Sequence, residues 1–425
     1  MKKFFLALFL GAIVFGACSS SSSAGEIDIL VNKLVQKNIL TPMEAEIILD
    51  ETKQEVAKEI AEHKSYALPE WVQKMKLKGD LRVRYQYESK AADKGQAKYN
   101  RSRGRYRFRL GVTTDVADQV EVGFGLATGG ADPRSTNQTM GQEFETPDIR
   151  LDYAYAKYSP LSSVDIYVGR FARKPVLWQT DDLLWDGDIN PDGIAVSATH
   201  SVGMLDGFLN AGVFPMFEYN TSAVEKGSAA DPAMYYAQVG VGSKVGEKIS
   251  LKGAVAYYGF TGLEGKTFDN SAKTNTGNST GLVYDYNTVN PTVELKISNP
   301  FEGIDLPIAI EAISFFGNYI YNPDPSDNNK GYLAGMKFGD KKIKNPGSWQ
   351  IKYCYRHLET DAWLDIFPDS DAYGGETNVA GHEVAWSYAI KKNVILGLDY
   401  YNMHPINGST SNTQHLIQAD VLFKF

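Results

Sequence analysis

The sequence predicts an all-β protein, a transmembrane antiparallel β-barrel of about sixteen strands that follows a short helical segment. From Leu77 onward, apolar and polar residues alternate in one run after another, which is the pattern of strands with one apolar and one wet face. The connections between these runs alternate between short and long. The last run, "HLIQADVLFKF", ends on an aromatic residue and carries an apolar face formed by Ile417, Ala419, Val421, Phe423 and Phe425.

The N-terminus has the features of a secretory signal peptide, which we assign to residues 1–24. Two lysines precede the apolar run "FFLALFLGAIVFGAC", and small residues follow it. The run is shorter than the ~20 residues that a membrane-spanning helix needs. Two kinds of processing remain open, namely cleavage near Ser22-Ser23-Ala24 and lipidation of Cys18.

Residues 25–75 are expected to form a periplasmic, coiled-coil-like helical lead-in. Its first part, "EIDILVNKLVQKNIL", places apolar residues on one helical face. Thr41, Pro42 and Glu44 then have the spacing of an N-cap, a proline at the first helical position and a capping-box glutamate. The apolar stripe of the second helix is too narrow to support a globular domain alone. We therefore expect this segment to assemble with other copies of the chain. The positions on these faces are Ile27, Leu30, Val31, Leu34 and Val35 in the first helix, then Ile48, Leu49, Thr52, Val56 and Ile60 in the second.

Residues 76–425 are expected to form the barrel. In "LKGDLRVRYQY" the odd-numbered positions are mostly apolar, and the even-numbered positions are mostly charged or polar. Short turns such as "VGEK" alternate with long loops such as "GGADPRSTNQTMGQEFETP", and both ends of the barrel fall on the side of the short turns. This arrangement is typical of bacterial outer-membrane barrels. Closure of the sheet leaves no open edge, as a bilayer requires.

Several segments resemble a bacterial family known as putative porins. They are "VGRF", "LLWDGDINPDGIAV", "WQIKYCYRHLETDAWLDIFPDSD" and "GHEVAWSYAIKKNVILGLDYY", together with the lead-in "LVNKLVQKNILTPMEAEIILDET". The resemblance implies an outer-membrane barrel, assembled as a homotrimer, that passes small hydrophilic solutes. It also implies that the barrel-insertion machinery reads the terminal Phe425. It implies no particular solute, and Cys18 departs from the pattern that we would expect.

The segment "RSRGRYRFRLGV" contains the most specific local signal. Its arginines recur at every second residue, opposite Tyr106, Phe108, Leu110 and Val112. Each arginine on the lipid face near the midplane would cost ~2–4 kcal/mol, so the column is expected to line the lumen. An alternative is that the arginines are structural, neutralised by acids across the barrel. The column comprises Arg101, Arg103, Arg105, Arg107 and Arg109, with Arg82 and Arg84 on the neighbouring strand.

Residues 172–192, the connection after the fifth predicted strand, are rich in acids. In general porins the loop at this position folds into the barrel and narrows it. This analogy implies that Asp181, Asp182, Asp186 and Asp188 face the arginine column and create a transverse field. An outward-facing lid is the alternative.

Two other classes of function are alternatives to a passive channel. The histidines are scattered and no serine lies at a strained elbow, so a phospholipase-like hydrolase is not favoured. A structural or adhesive barrel remains an alternative. The segment "DGDINPDG" imitates the start of a calcium loop but has Pro191 at the position of the required glycine. We expect no metal, no cofactor and, because the chain is acidic with a net charge of −8, no nucleic-acid partner.

Overall fold

The computed structural model describes residues 31, 33–37, 39–63, 68–90, 99–218, 231–277, 279–305, 308–408 and 412–425. It forms two compact units, Met1–Gln73 and Lys74–Phe425, which are described separately. The expected signal peptide lies outside the described residues, as do Ile27 and Leu30. Within the described part of the chain, no helix is both long enough and apolar enough to cross a membrane.

The first unit contains the short N-terminal helix that the sequence predicts. Helix α1 covers Pro42–His63 and helix α2 covers Glu70–Gln73. The capping box is formed, because the carboxylate of Glu44 accepts hydrogen bonds from the amide and the hydroxyl of Thr41 at 2.8 and 2.7 Å. The hydrogen bond from the Thr41 amide lowers the pKa of Glu44. Met43 and Ile47 on α1 remain exposed, at 74% and 53%.

The second unit is a closed antiparallel barrel, which confirms the predicted fold class. Strand β1 pairs with β2 on one side and with β17 on the other, so the sheet has no free edge. Sixteen of the described strands have seven or more residues, and β4 has only two. The strands are β1 (Lys76–Lys90), β2 (Tyr99–Ala117), β3 (Val120–Ala127), β4 (Gln138–Thr139), β5 (Arg150–Leu161), β6 (Val164–Arg170), β7 (Asp192–Val202), β8 (Leu205–Pro215), β9 (Ala233–Val245), β10 (Ile249–Thr261), β11 (Asn287–Ser298), β12 (Ala312–Tyr321), β13 (Lys330–Gly339), β14 (Trp349–Leu358), β15 (Val379–Lys391), β16 (Val394–Pro405) and β17 (Gln414–Lys424).

The two faces of each strand differ as the alternation predicts. In β17, Leu416 and Gln418 point inward and are each 1% exposed, whereas Ile417 and Phe423 are 38% and 40% exposed. The apolar row of the closing strand therefore lies on the outer face of the barrel, where lipid replaces water in a membrane. Phe425 continues this pairing beyond the strand, since its amide donates to the carbonyl of Gly79 at 3.1 Å.

Short connections lie mostly at one rim of the barrel and long connections at the other, as expected, with exceptions. Turns such as 118–119, 162–163 and 392–393 join strands at one rim. The loops 171–191, 262–286 and 359–378 lie at the other rim, but the turn-side connection 299–311 is longer than the loop 322–329. The two-residue strand β4, which the sequence did not predict, pairs with Arg105 and Tyr106 of β2.

The interior of the barrel contains a hydrophobic core, which was not anticipated for a channel with a polar lumen. Inward side chains of the wall, such as Phe214, Tyr236 and Tyr258, pack against side chains of the three long loops, such as Trp185 and Trp363. The ring centroids of Trp185 and Trp363 lie 6.0 Å apart. Those of Tyr258 and Trp363 lie 5.0 Å apart. Burial of this aromatic cluster holds the loops within the barrel.

Candidate functional site

The arginine column lies on the inner face of the first two strands. In the register of β1 and β2, Arg82 lies opposite Arg107 and Arg84 lies opposite Arg105. Arg84 and Arg107 are 3% and 8% exposed, whereas Val83 between the β1 arginines is 41% exposed on the outer face. The strand period thus places this charged double row inside the barrel.

Two acids on the barrel wall neutralise part of the column. They stabilise the sheet, because the arginines that lie directly opposite each other would otherwise repel. The carboxylate of Asp80 accepts hydrogen bonds from Arg107 at 2.7 Å and from Arg109 at 2.9 Å. The carboxylate of Asp420 accepts two hydrogen bonds of 2.7 Å from Arg84. Neither acid belongs to the loop that was expected to supply the counter-charges.

Arg105 differs from its neighbours because its guanidinium has only neutral partners. It donates to the side chains of Gln86 and Ser135, both at 3.3 Å. Within the described residues, no carboxylate lies close enough to form an ion pair with Arg105. Arg82 donates to Asn137 at 2.6 Å and lies 3.7 Å from Asp420. The column therefore retains positive charge that is not fully compensated.

The loop 171–191 leaves the wall early and crosses the inside of the barrel. Strand β6 has only seven residues. Gly169 and Gly193 are paired at the point where the loop begins and ends, and both have positive φ, 111° and 147°. A Cβ atom added at Gly193 would lie 2.1 Å from the carbonyl oxygen of Val213 and would collide with it. These glycines therefore allow the chain to turn away from the sheet.

The contacts of this loop define its path. The amide of Trp178 donates to the side-chain oxygen of Gln238 on β9 at 2.9 Å. The side-chain nitrogen of Gln238 donates to the carbonyl of Trp178 at 2.8 Å. Other residues of the loop reach the inner faces of β2, β12 and β14, which lie around the whole wall. A segment that contacts inward side chains on all these strands lies within the lumen.

Of the four predicted carboxylates, only Asp188 contacts the arginine column. Its Oδ1 lies 3.3 Å from Nη1 of Arg109. Its Oδ2 accepts hydrogen bonds from the amide and the hydroxyl of Thr136 at 3.0 and 2.8 Å. Burial favours a raised pKa for Asp188, but Arg107 and Arg109 outweigh it and lower the pKa below its usual value.

Asp186 lies next to Asp188 but faces a different segment. Its Oδ2 accepts a hydrogen bond from the amide of Ser370 at 2.8 Å, and its own amide donates to the carbonyl of Phe367 at 2.7 Å. Burial, followed by the charge of Asp188, raises the pKa of Asp186 to about 7. Asp186 thus joins the loop 171–191 to the loop 359–378.

Asp181 and Asp182 contact wall strands other than β1 and β2. Asp181 accepts a hydrogen bond from Asn318 on β12 at 3.1 Å, and burial raises its pKa. Asp182 lies 2.8 Å from Nη2 of Arg356 on β14. Burial opposes ionisation of Asp182, but Arg356 and Lys352 lower its pKa. The expectation that all four acids face the column therefore does not hold for these two residues or for Asp186.

Sequence reasoning missed a second group of lumenal charges, on β14 and β15. Arg356 contacts Glu383 at 3.0 Å and Asp369 at 3.4 Å, and Lys352 also pairs with Glu383. Arg356 and Glu383 are 3% and 2% exposed. The period-2 positions of Lys352 and Arg356 in "WQIKYCYRHL" carried the same signal as the arginine column, but more weakly.

The loop 359–378 was also not predicted to enter the barrel. Its Asp371 lies 3.1 Å from Arg84, so this loop supplies a counter-charge for the column. Asp365 in the same loop accepts a hydrogen bond from the amide of Thr274 at 2.7 Å, which ties it to the loop 262–286. The apolar residues of "DAWLDIF", placed among aspartates, were the available sign of a buried loop.

The acids of the calcium-like segment are held by different partners. Asp186 and Asp188 have the partners described above, and Asp192 pairs with Arg170 at 2.7 Å. Among the residues that the structure describes, no group of three or more His, Cys, Asp or Glu side chains is placed to hold a metal ion.

The lumen therefore has two different sides. Strands β14 to β17, with β1 and β2, present Lys352, Arg356, Glu383, Asp420 and the arginine column. Strands β6 to β13 carry most of the inward aromatic and aliphatic side chains that pack against the loops. The apolar side is filled by this core, whereas charged side chains line the other side.

Comparison with known proteins agrees with this geometry. The family model described as "Putative porin" matches residues 46–99, 89–296 and 267–425. The chain belongs to this family. Members of this family are outer-membrane channels without enzymatic activity, and the protein is accordingly an outer-membrane porin. No curated protein sequence matches the chain.

Solved porin structures resemble the barrel of this porin. A high-pH structure of OprB from Pseudomonas putida has a TM-score of 0.52 and 13% sequence identity, and the match covers 84% of this chain and 96% of that one. A mutant of the Rhodopseudomonas blastica porin has a TM-score of 0.43 and 13% identity, with 83% of this chain and 100% of that one covered. At such identity, the first likeness supports the fold alone.

Proposed function

We propose that the arginine column, together with Asp188, forms the constriction of a water-filled channel for passive diffusion of small hydrophilic solutes. The observation that carries this proposal is the double row of inward arginines with Asp188 opposite Arg109 at 3.3 Å. The remaining acids of the predicted set, Asp181, Asp182 and Asp186, act by holding the loop in place. The channel has no enzymatic role.

The selectivity expected of this constriction is a weak preference for anions. Alternate residues on a strand lie ~6.6 Å apart, which is inside the ~8 Å Debye length at physiological salt. Their potentials overlap, so the column acts as a continuous positive stripe. Asp80, Asp420, Asp371 and Asp188 offset part of this charge. Arg105, which lacks a carboxylate partner, contributes most to what remains.

Reversal potentials in planar bilayers test this proposal. Replacement of Arg105 by Gln leaves no acid without its partner, so the barrel should fold normally. The variant should shift the reversal potential toward cations, more at low salt than at high salt. The triple variant Arg105→Gln, Arg107→Gln, Arg109→Gln should shift it further. Lys248→Gln, which neutralises an exposed lysine of the turn between β9 and β10, serves as the control and should shift it little.

Two results would overturn the proposal. If both arginine variants keep the parent conductance and reversal potential, these side chains do not line the conducting path. If the purified protein gives no conductance at all, the barrel is plugged and has a structural or adhesive role. Lipid hydrolysis that a single Ser→Ala variant abolishes would instead favour the enzyme alternative.

We further propose that the chain is exported by its signal peptide and works as a homotrimer. The exposed apolar side chains of α1, including Met43 at 74% and Ile47 at 53%, support an assembly role for the helical lead-in. The terminal Phe425 is proposed as the residue that the barrel-insertion machinery recognises.

A further inference from the structure

A groove on the outer surface of the barrel lies beside the turn that joins β13 to β14. Its floor is a row of side chains on three neighbouring strands, because Phe338 pairs with Ile351 and Ile351 pairs with Trp386. Trp349 and Tyr388 form a second row, closer to the turn. Other residues on the same period-2 face of each of these strands are exposed, so both rows face outward.

Aromatic side chains form most of this floor. The rings of Phe338 and Trp349 meet edge to face with centroids 5.7 Å apart. Those of Trp386 and Tyr388 stack at 5.9 Å. The groove has a volume of about 1080 Å³, and Lys341 and Lys342 also line it. Aromatic side chains at this level of a barrel mark the boundary between the acyl chains and the headgroups of a bilayer.

Five lysines lie near the groove, on or beside two neighbouring turns, and two of them line it. The two turns are held together, because the amide of Asn393 donates to the carbonyl of Lys344 at 3.3 Å. Within the described residues, none of the five ammonium groups lies within ion-pair distance of a carboxylate. The lysines are Lys341, Lys342 and Lys344 in one turn, Lys391 at the end of β15 and Lys392 in the turn that follows it, and all are exposed.

Two acids also line the groove, and each accepts a hydrogen bond from a backbone amide. The carboxylate of Asp340 accepts a hydrogen bond from the amide of Trp349 at 2.7 Å. The carboxylate of Glu311 accepts one from the amide of Lys341 at 3.3 Å. The groove and its surroundings therefore carry an excess of positive charge over an apolar, aromatic floor.

We propose that this groove binds one anionic phospholipid of the periplasmic leaflet. The lysines would contact the phosphate, while the glycerol and the first part of the acyl chains would lie on Phe338, Trp349 and Trp386. The short-turn rim faces the periplasm in barrels of this class, so the groove opens to that leaflet. A free phosphate would use the lysines but leave the aromatic floor bare. The floor is continuous with the lipid-facing exterior, which favours a lipid.

Native mass spectrometry of the full-length detergent-purified protein tests this site. The probes are dioleoyl phosphatidylglycerol and, as a neutral lipid of the same chain length, dioleoyl phosphatidylcholine. We expect the phosphatidylglycerol to be retained more strongly than the phosphatidylcholine. Each lysine near an anionic lipid surface contributes about fivefold in binding. Because neighbouring lysines share one phosphate, the triple variant Lys341→Gln, Lys342→Gln, Lys344→Gln should weaken retention by about tenfold.

Matched variants separate the site from general charge effects. Lys248→Gln removes an exposed lysine, paired with Glu302, from another short turn, between β9 and β10, and should leave retention unchanged. Trp386→Leu keeps every lysine and should still weaken retention, because the floor is altered. Equal retention of the two lipids, equal loss in the control, or competition by soluble glycerol phosphate would each overturn the proposal. Unchanged heat-modifiable migration on gels verifies that each variant is folded.

Discussion

The guanidinium of Arg84 makes two hydrogen bonds of 2.7 Å to the carboxylate of Asp420, and these residues lie directly opposite each other on the first and the last strand. This pair closes the barrel with a charge-assisted, two-pronged contact. Arg84 also reaches Asp371 at 3.1 Å, so the seam between β1 and β17 is joined to the loop 359–378. The same arginine therefore serves both closure of the wall and the electrostatics of the lumen.

Replacement of Asp420 by Asn should destabilise the folded barrel. The change leaves the buried Arg84 with Asp371 as its remaining acidic partner. It also removes the carboxylate that lies 3.7 Å from Arg82. Removal of one partner of a buried ion pair costs about 3 kcal/mol. The free energy of unfolding, measured by urea titration in detergent, should fall by about this amount. Asp148→Asn, at an exposed position, should change it little, and equal effects of the two variants would contradict this role for the seam.

Asp186 should make the selectivity of the channel depend on pH. Its pKa is raised to about 7, so the carboxyl is neutral in acid and gains a negative charge near neutrality. The reversal potential should shift toward cations as the pH rises through this pKa, and Asp186→Asn should reduce the shift. Asp192→Asn, at the end of the same loop, should leave the shift in place. A pH profile that is the same in the Asp186 variant and the parent would exclude this carboxyl as its source.

The same carboxyl contributes to stability with a defined sign. The folded protein holds the proton of Asp186 more tightly than the unfolded chain, in which the pKa is 3.8. Its contribution is therefore fully present below the unfolded pKa and is lost as the pH rises to about 7. In Asp186→Asn, this part of the pH dependence of the free energy of unfolding should disappear.

Phe425 should matter more for assembly than for stability. Its backbone is paired with Gly79, and its ring lies 6.3 Å from that of Phe108, centroid to centroid. Phe425→Ala keeps the backbone pairing but removes the aromatic terminus, and the protein should accumulate in the periplasm. Phe423→Ala, which removes a lipid-facing aromatic two residues earlier, is the control. Normal outer-membrane levels of the Phe425 variant would contradict the prediction.

The porin should migrate as three copies in mild detergent. The exposed apolar residues of α1 need partners, and removal of residues 25–75 should therefore weaken the assembly. The measurement is native mass or chemical cross-linking of the intact and shortened chains. A monomeric mass with the lead-in present would contradict the trimer.

Local pattern was sufficient to predict the wall of the barrel. Alternation with period 2 separates the two faces of each strand, and an arginine is too costly in lipid to face outward. The inward position of Arg105 and the outward position of Ile417 followed from this alone. The capping box of Thr41 and Glu44 is equally local, because both residues belong to one turn of helix.

The sequence by itself thus determined the fold class, the strands and the side of the wall on which each charge lies. Only the tertiary structure decided which acids meet these charges. Asp420 and Asp371 lie 336 and 287 residues from Arg84 along the chain. Loops without regular secondary structure have no period that reports where they fold. The paths of 171–191 and 359–378 are therefore set by burial of their aromatic residues and by pairing of their aspartates, which depend on contacts that form only when the barrel is closed.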